Sequence, residues 1–526
     1  MLSTSLTPSA MALLSLLVAL SLFAAVRCQP SPPKGILIDC GATVSSVIDN
    51  RQWLPDGNYV SAGLPKTLSI SGLLPTLSTL RSFPLLAGAH RKFCYVVPVF
   101  RGAKYLVRTT YFYGGVNGVD LPPVFDQIVD GTVWSVVNTT DDYANGMSSY
   151  YEGVFLAKGK TMSVCVAQNT YTNSDPFISA LEFLILGDSV YNSTDFRNYG
   201  LSLVARHSFG YGGPIIKFPD DQFDRYWEPF GDSNPKIQSI RNVSVSGFWN
   251  IPPEKIFDTA LMSKQPMELH WPPGPLLNDT YYIALYFADN SNASLGSSRV
   301  LNITVNGIEY YRNMKVTPFG TAVFGTKWPL SGQTKIILTP AAGSDVGPLI
   351  NAGEIFGVLR LGGRTITRDV IALERVRNNL QNLPLDWSGD PCFPREYSWT
   401  GVSCSNGPQI RIVALNLSSM GLSGSLSPSI AKLTALTDIW LGNNNFSGPI
   451  PDLSPLKRLQ TLHLEDNQFS GEVPSSLGNI TRLRELFIES NHLTGQIPDS
   501  LKTKPGLNLK TAPGNNFLLP SPPPAA

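Results

Sequence analysis

Residue types that could do acid–base, nucleophilic or metal chemistry are sparse in this chain and poorly spaced for it. The five histidines, His90, His207, His270, His463 and His492, are scattered. No H-E-x-x-H, G-x-S-x-G or C-x-x-C places a metal or an activated nucleophile. The pair in "PDD" (Pro219–Asp221) could suggest the two carboxylates of glycoside hydrolysis, but turn chemistry accounts for it better. The reading is a non-enzymatic protein with no cofactor and no metal.

Chemistry of another kind is abundant: aromatic and acidic side chains in register. Four segments, 412–435, 436–458, 459–482 and 483–506, align on one L-x-x-L-x-L template. Their period of about 24 residues is that of leucine-rich repeats. Alternation turns the leucines inward and the intervening residues onto the concave face. One column there reads Asn416, Trp440, His463, Phe487, and the next Ser418, Gly442, Glu465, Glu489. An outer column reads Ala414, Asp438, Thr461, Glu485. The repeat core has no need of an aromatic track beside an acidic one. Partly exposed aromatics are typical interface anchors. Trp440, His463, Phe487, Glu465, Glu489 and Asp438 are therefore the candidate ligand-binding residues. Asn444, Asn467 and Asn491 should turn the chain and bond its backbone, with Met420 in that place in the first repeat. A fifth repeat, 507–518, reads as a degraded cap with Lys510 and Ala512 at leucine positions.

Before the repeats lies "DWSGDPCFPREYSWTGVSC" (386–404), after a helical pattern over 368–380. A Cys392–Cys404 disulfide would close a short loop and contribute roughly 2–3 kcal/mol. With Trp387 and Trp399 it would cover the open end of the first repeat at Leu415 and Leu417. No histidine lies near enough to suggest zinc. Of the remaining mature cysteines, Cys94 and Cys165 sit in strand-like runs and are the favoured pair, leaving Cys40 a buried thiol; other pairings stay open.

The preceding two-thirds carries a duplication. "KYLVRTTYFY" (104–113) answers "YYIALYFADN" (281–290), "FDQIVDG" (125–131) answers "LNITVNG" (301–307), and "FISALEFLIL" (177–186) answers "LINAGEIFGVL" (349–359). Matched order and offset predict two copies of one β-sandwich or jelly-roll domain. The expected organisation is a signal peptide over 1–28, β domains over 35–190 and 200–362, a helix and disulfide cap over 363–411, repeats over 412–517 and a proline-rich tail over 518–526. The fold class is mainly β.

The apolar run Met11–Val26 has the length of a signal-peptide core and is short for a membrane span. No later stretch is long enough to span. Sequons stand at Asn138, Asn192, Asn242, Asn278, Asn292, Asn302, Asn416, Asn445 and Asn479, as suits a glycosylated surface protein. The net charge of +1, without basic runs, argues against nucleic acid.

"ILIDCG", "WLPDG", "KFCYVVP", "YLVRTTYFYGGVNG" and "PFISALEFLIL" resemble the first malectin-like domain of plant receptor-like proteins. "RHSFGYGGPIIKFPDDQFDRYWEPF", "YYIALYFAD" and "PLINAGEIFGVL" resemble the second. The W-x-G-D-P-C…W-x-G-V-x-C element and the "SGxIP" repeats resemble those of malectin-like, leucine-rich-repeat receptor kinases. The likeness covers roughly residues 35–517 and is to their ectodomain; no kinase glycine loop or H-R-D motif appears. It implies a secreted or apoplastic receptor-like protein that binds a peptide, a receptor kinase ectodomain or a cell-wall oligosaccharide. Animal malectin binds a glucose disaccharide through aromatic and polar groups. By that resemblance Tyr111, Tyr113, Asn117 and Asp120, with Trp134 and Tyr151, are candidate sugar-binding residues. Alternation along the strand must bury at least one of these tyrosines or Phe112.

Overall fold

A computed structural model describes residues 34–518, apart from 87–89, 119, 241–242 and 290–297. The expected signal peptide, the sequons Asn242 and Asn292, and nearly all of the tail lie outside the described residues. No helix among the described residues is long and apolar enough to cross a membrane. The chain divides into two compact units: one is made largely of 36–183 and 358–526, the other largely of 203–357.

In the first unit a β domain comes first. Lys104–Tyr111 pairs antiparallel with Ser149–Leu156, with Leu106 opposite Val154, and on its other side with Ala180–Leu186. The facing sheet orders Lys92–Pro98, Thr161–Ala167, Val124–Val129 and Thr132–Asn138. The two sheets close on each other through Tyr111 and Phe125, whose rings are 5.5 Å apart, and through Gln127, which accepts from Thr109. The inner face also buries charge. Arg108 reaches Glu152 at 3.0 Å and Glu182 at 3.1 Å, so none of the three is left unpaired.

The second unit repeats this plan. Leu276–Phe287 takes the place of Lys104–Tyr111, between Thr321–Gly332 and Ala352–Arg360. Met267–His270, Lys335–Pro340, Arg299–Val305 and Ile308–Val316 form its facing sheet, in the order seen before. The duplication read from matched offsets is thus a duplication of strand order. Glu354 occupies the place of Glu182. Burial opposes its ionisation, but Arg206 at 2.7 Å, Arg225 and the hydroxyls of Tyr191 and Tyr286 hold it below the usual range. Asp221 of the "PDD" accepts from Arg225 at 2.9 Å and from the Trp227 indole at 2.8 Å, and its backbone closes the turn. Its carboxylate is a buried structural acceptor.

The repeats complete the first unit. Val402–Cys404, Ile412–Asn416, Asp438–Trp440, Thr461–His463, Glu485–Phe487 and Asn508–Lys510 make the concave sheet, parallel throughout except for its first pair. A second six-stranded sheet, from Leu380–Gln381 to Asn516–Phe517, runs along the "SGxIP" segments. The core is a column of buried leucines, isoleucines and phenylalanines between these sheets. Asn467 shows how a turn becomes a ladder. Its amide donates to the carbonyls of Leu441, Leu464 and Glu465, and its oxygen accepts from the Phe446 N–H at 2.9 Å.

The fifth repeat has a different register from the one expected. Leu509 pairs with Leu486 and turns inward, so Lys510 stands beside Phe487 on the concave face instead of at a leucine position. Asn515 continues the ladder, accepting from the Leu493 N–H. Both sheets therefore run on into this repeat.

Candidate functional site

The concave site is built by short strands one rung apart. Parallel pairing sets Asn416 beside Trp440, Trp440 beside His463, His463 beside Phe487, and Phe487 beside Lys510. Inward-facing leucines fix each strand, so the outward column is held by the core behind it. The His463 and Phe487 rings stack with centroids 4.1 Å apart and planes at 15°. The Lys510 ammonium lies 3.9 Å above the centre of the Phe487 ring, a cation–π contact. His463 Nε2 is 3.1 Å from a Glu485 oxygen, and its Nδ1 is 3.9 Å from Glu465.

The carboxylates beside this column differ in how well they are supported. Asp438 accepts from the Thr437 hydroxyl. One oxygen each of Glu465 and Glu489 is shielded from water and has no hydrogen-bond partner among the described residues. Burial raises the Glu465 carboxyl above its usual range; Glu489 and Asp466 add to the rise, and His463 opposes it. Gly442 makes room for Glu465, since a Cβ there would overlap its carboxylate. The site therefore offers a partly exposed aromatic track bordered by acids that its own groups only partly satisfy. Asn416 and Asn445, both sequons, are exposed at one end and outside the track respectively. Sequence reading put Lys510 at a leucine position because the fifth repeat's register was misassigned; aligning Leu509 with Leu486 places it beside Phe487.

Of the proposed sugar residues, Tyr111, Tyr113 and Trp134 are buried, contrary to what a stacking platform would need. Tyr111 is 1% exposed and Tyr113 2%, and Trp134 is 5% exposed. Tyr111 donates to Gln127, and burial pushes its phenol well up. Tyr113 donates to the Gly118 carbonyl and stands edge-on to Tyr143. Trp134 donates to Ser202 and leans on Phe155. Tyr151 is edge-on to Tyr111. Asn117 is taken up by Lys66 and the Asp175 carbonyl, and only Asp120 is exposed. The rings of Tyr111, Tyr113 and Trp134 are covered by core neighbours, whereas Tyr151 is partly exposed. Facing sheets, which need aromatic core on their inner sides, are the physical reason.

The stretch 386–404 is a cap and also a weld. Trp387 and Trp399 stack at 5.1 Å and are buried with Leu415 and Leu417. Cys392 is joined to Cys404, and Cys94 to Cys165, while Cys40 is free and buried. The first β domain grips the cap. Lys92 donates to the carbonyls of Asp390 and Phe393, Ser388 accepts from the Cys94 N–H, and Tyr397 donates to Asp126 at 2.7 Å. Gly389 has φ +70°, and a Cβ there would lie 2.7 Å from Cys94 Sγ. Its glycine is needed both for the turn and for the close approach. Nothing in the sequence signals this contact.

The paired sandwiches and solenoid have counterparts among known proteins. The malectin-like domain profile matches residues 38–358, more than half of the chain, and the leucine-rich repeat profile matches 458–480 and 482–503. This chain belongs to the malectin-like domain family. A leucine-rich repeat receptor-like serine/threonine-protein kinase of Arabidopsis thaliana is 31% identical over 77% of this chain and 47% of its own length. The chain spans about half the length of the curated relatives it matches, 47% and 44% for two of them. The crystal structure of the ANX2 ectodomain from Arabidopsis thaliana superposes with a TM-score of 0.52 at 16% identity, covering 62% of this chain and 97% of that one. A structure of the plant peptide RALF23 in complex with FER and LLG2 superposes with a TM-score of 0.51 at 18% identity, over 62% of this chain and 96% of that one. At such identities the likeness establishes the fold alone: that of the malectin-like ectodomains, here followed by leucine-rich repeats.

Proposed function

We propose that this malectin-like chain is a receptor-like binding protein of the plant cell exterior, with no chemistry of its own. It holds a peptide or a partner receptor ectodomain on the concave face of its repeats. The observation that carries this reading is the Trp440–His463–Phe487 column, partly exposed and unused by the solenoid core. Support for the class of partner comes from the malectin-like ectodomain that bears RALF23 and LLG2 in its complex. Support for the compartment comes from the apolar N-terminal run, the two disulfides and the exposed sequons at Asn138, Asn192, Asn278, Asn416, Asn445 and Asn479. An oligosaccharide partner has less support, since the residues proposed for it are mostly core.

The test is affinity purification of the protein from its own tissue, then rebinding of the identified partner as a purified protein. Trp440→Ala and Phe487→Ala should each weaken rebinding roughly tenfold or more, as anchors of an interface do. Rebinding at wild-type strength by both variants, with unchanged melting temperature, would overturn the reading.

A further inference from the structure

We infer that the partner segment docked on this face is an extended basic peptide, with an arginine or lysine seated between the aromatic column and the carboxylates of Glu465 and Glu489. This rests on the reading of the concave face as the binding surface and specifies its partner.

Three observations select a basic occupant. The face sets Asp438, Glu485, Glu465 and Glu489 around the aromatic column, against the single ammonium of Lys510 within it. A large surplus of one sign selects the opposite sign and repels like charge. Anionic sugars and phosphates are disfavoured, and a neutral sugar would leave the acids uncompensated. Next, Glu465 and Glu489 stand on successive rungs of the face, and both are partly exposed. Rungs lie about 4.8 Å apart. That span suits a guanidinium, which carries five N–H donors in a planar fork. Finally, Lys510 shows that the aromatic surface accepts a cation, since its ammonium already rests on the Phe487 ring. Among the described residues no cation stands over the Trp440 ring, which is left to the apolar neighbour of an incoming arginine.

Lys510 then has a definite role: it competes with the ligand for the Phe487 face. Removing it should strengthen binding, an outcome that a purely structural lysine would not produce.

The test measures binding of the full chain to two sets of fluorescent dodecapeptides, one centred on Arg-Leu-Arg and one on Glu-Leu-Glu, in identical mixed Gly/Ser/Ala flanks. The arginine set should bind and the glutamate set should not. Binding should weaken steeply between about 50 and 300 mM salt. Glu465→Gln with Glu489→Gln should weaken it roughly tenfold, and Lys510→Ala should strengthen it several-fold. The glutamines keep shape and remove poorly compensated charge, so melting temperature should not fall. Equal binding of both sets, no binding of either, or an unchanged affinity in the double glutamine variant would overturn the proposal. If Trp440→Ala loses a purified partner that the double glutamine variant keeps, the basic assignment falls while the concave face stands as the binding surface.

Discussion

At the scale of single residues, two buried bases report on packing. Lys92 is 1% exposed, and burial pushes its ammonium down to about 8, against the pull of Asp390 and Asp386. The unfolded chain holds that proton up to about 10.5, so between those values the unfolded state binds more protons and this group's contribution to stability rises with pH. Its donors satisfy the carbonyls of Asp390 and Phe393. Lys92→Met should cost roughly 1–3 kcal/mol, because both acceptors lose their donor while a desolvated charge is also removed. Calorimetry should show a lower melting temperature and a flatter profile between pH 8 and 10; an unchanged melting temperature would refute the weld. In the second unit, His207 Nδ1 accepts from the Trp271 indole at 3.0 Å and must stay unprotonated there. Burial lowers its pKa below 6.5, outweighing Glu228. Stability from this group is therefore present above 6.5 and lost as pH falls below it. An NMR titration midpoint at or above 6.5 would contradict this.

At the scale of elements, the asparagine ladder is the sharpest case. Asn467→Ala leaves the Phe446 N–H and three carbonyls without their partner. It should cost about 2 kcal/mol or more, whereas Gln468→Ala, exposed at the start of the next strand, should change stability by under about 0.5 kcal/mol. Equal melting temperatures for the two variants would refute the ladder's role. The repeats were legible because their period and alternation are set by one stacking geometry. The duplicated sandwiches were legible because paired strands recur at matched offsets. The last repeat misled because Leu507 and Leu509 alternate alike, and only strand pairing distinguishes their registers. The aromatic cluster at Tyr111–Tyr113 misled for a related reason. Alternation requires that at least one of these residues be buried; it does not tell how many, and Phe112 and both tyrosines are all buried. The weld between Cys94 and Ser388 joins residues 294 apart in sequence and leaves no local pattern to read.

At the scale of the molecule, the first sandwich, the cap and the repeats make one unit, and the second sandwich makes the body of the other. The stapled stretch 386–404 joins the start of the solenoid to the first sandwich, so the concave face belongs to the same compact unit as that sandwich. That arrangement suits a surface that binds without rearranging. The central claim is that recognition belongs to the aromatic column of the repeats. The most direct measurement compares the affinity of the purified partner for the wild type, for Trp440→Ala with Phe487→Ala, and for Tyr171→Ala, an exposed aromatic of the first sandwich. The account predicts that the concave pair loses binding while Tyr171→Ala keeps it. Full binding by the concave pair, or loss only in Tyr171→Ala, would contradict it.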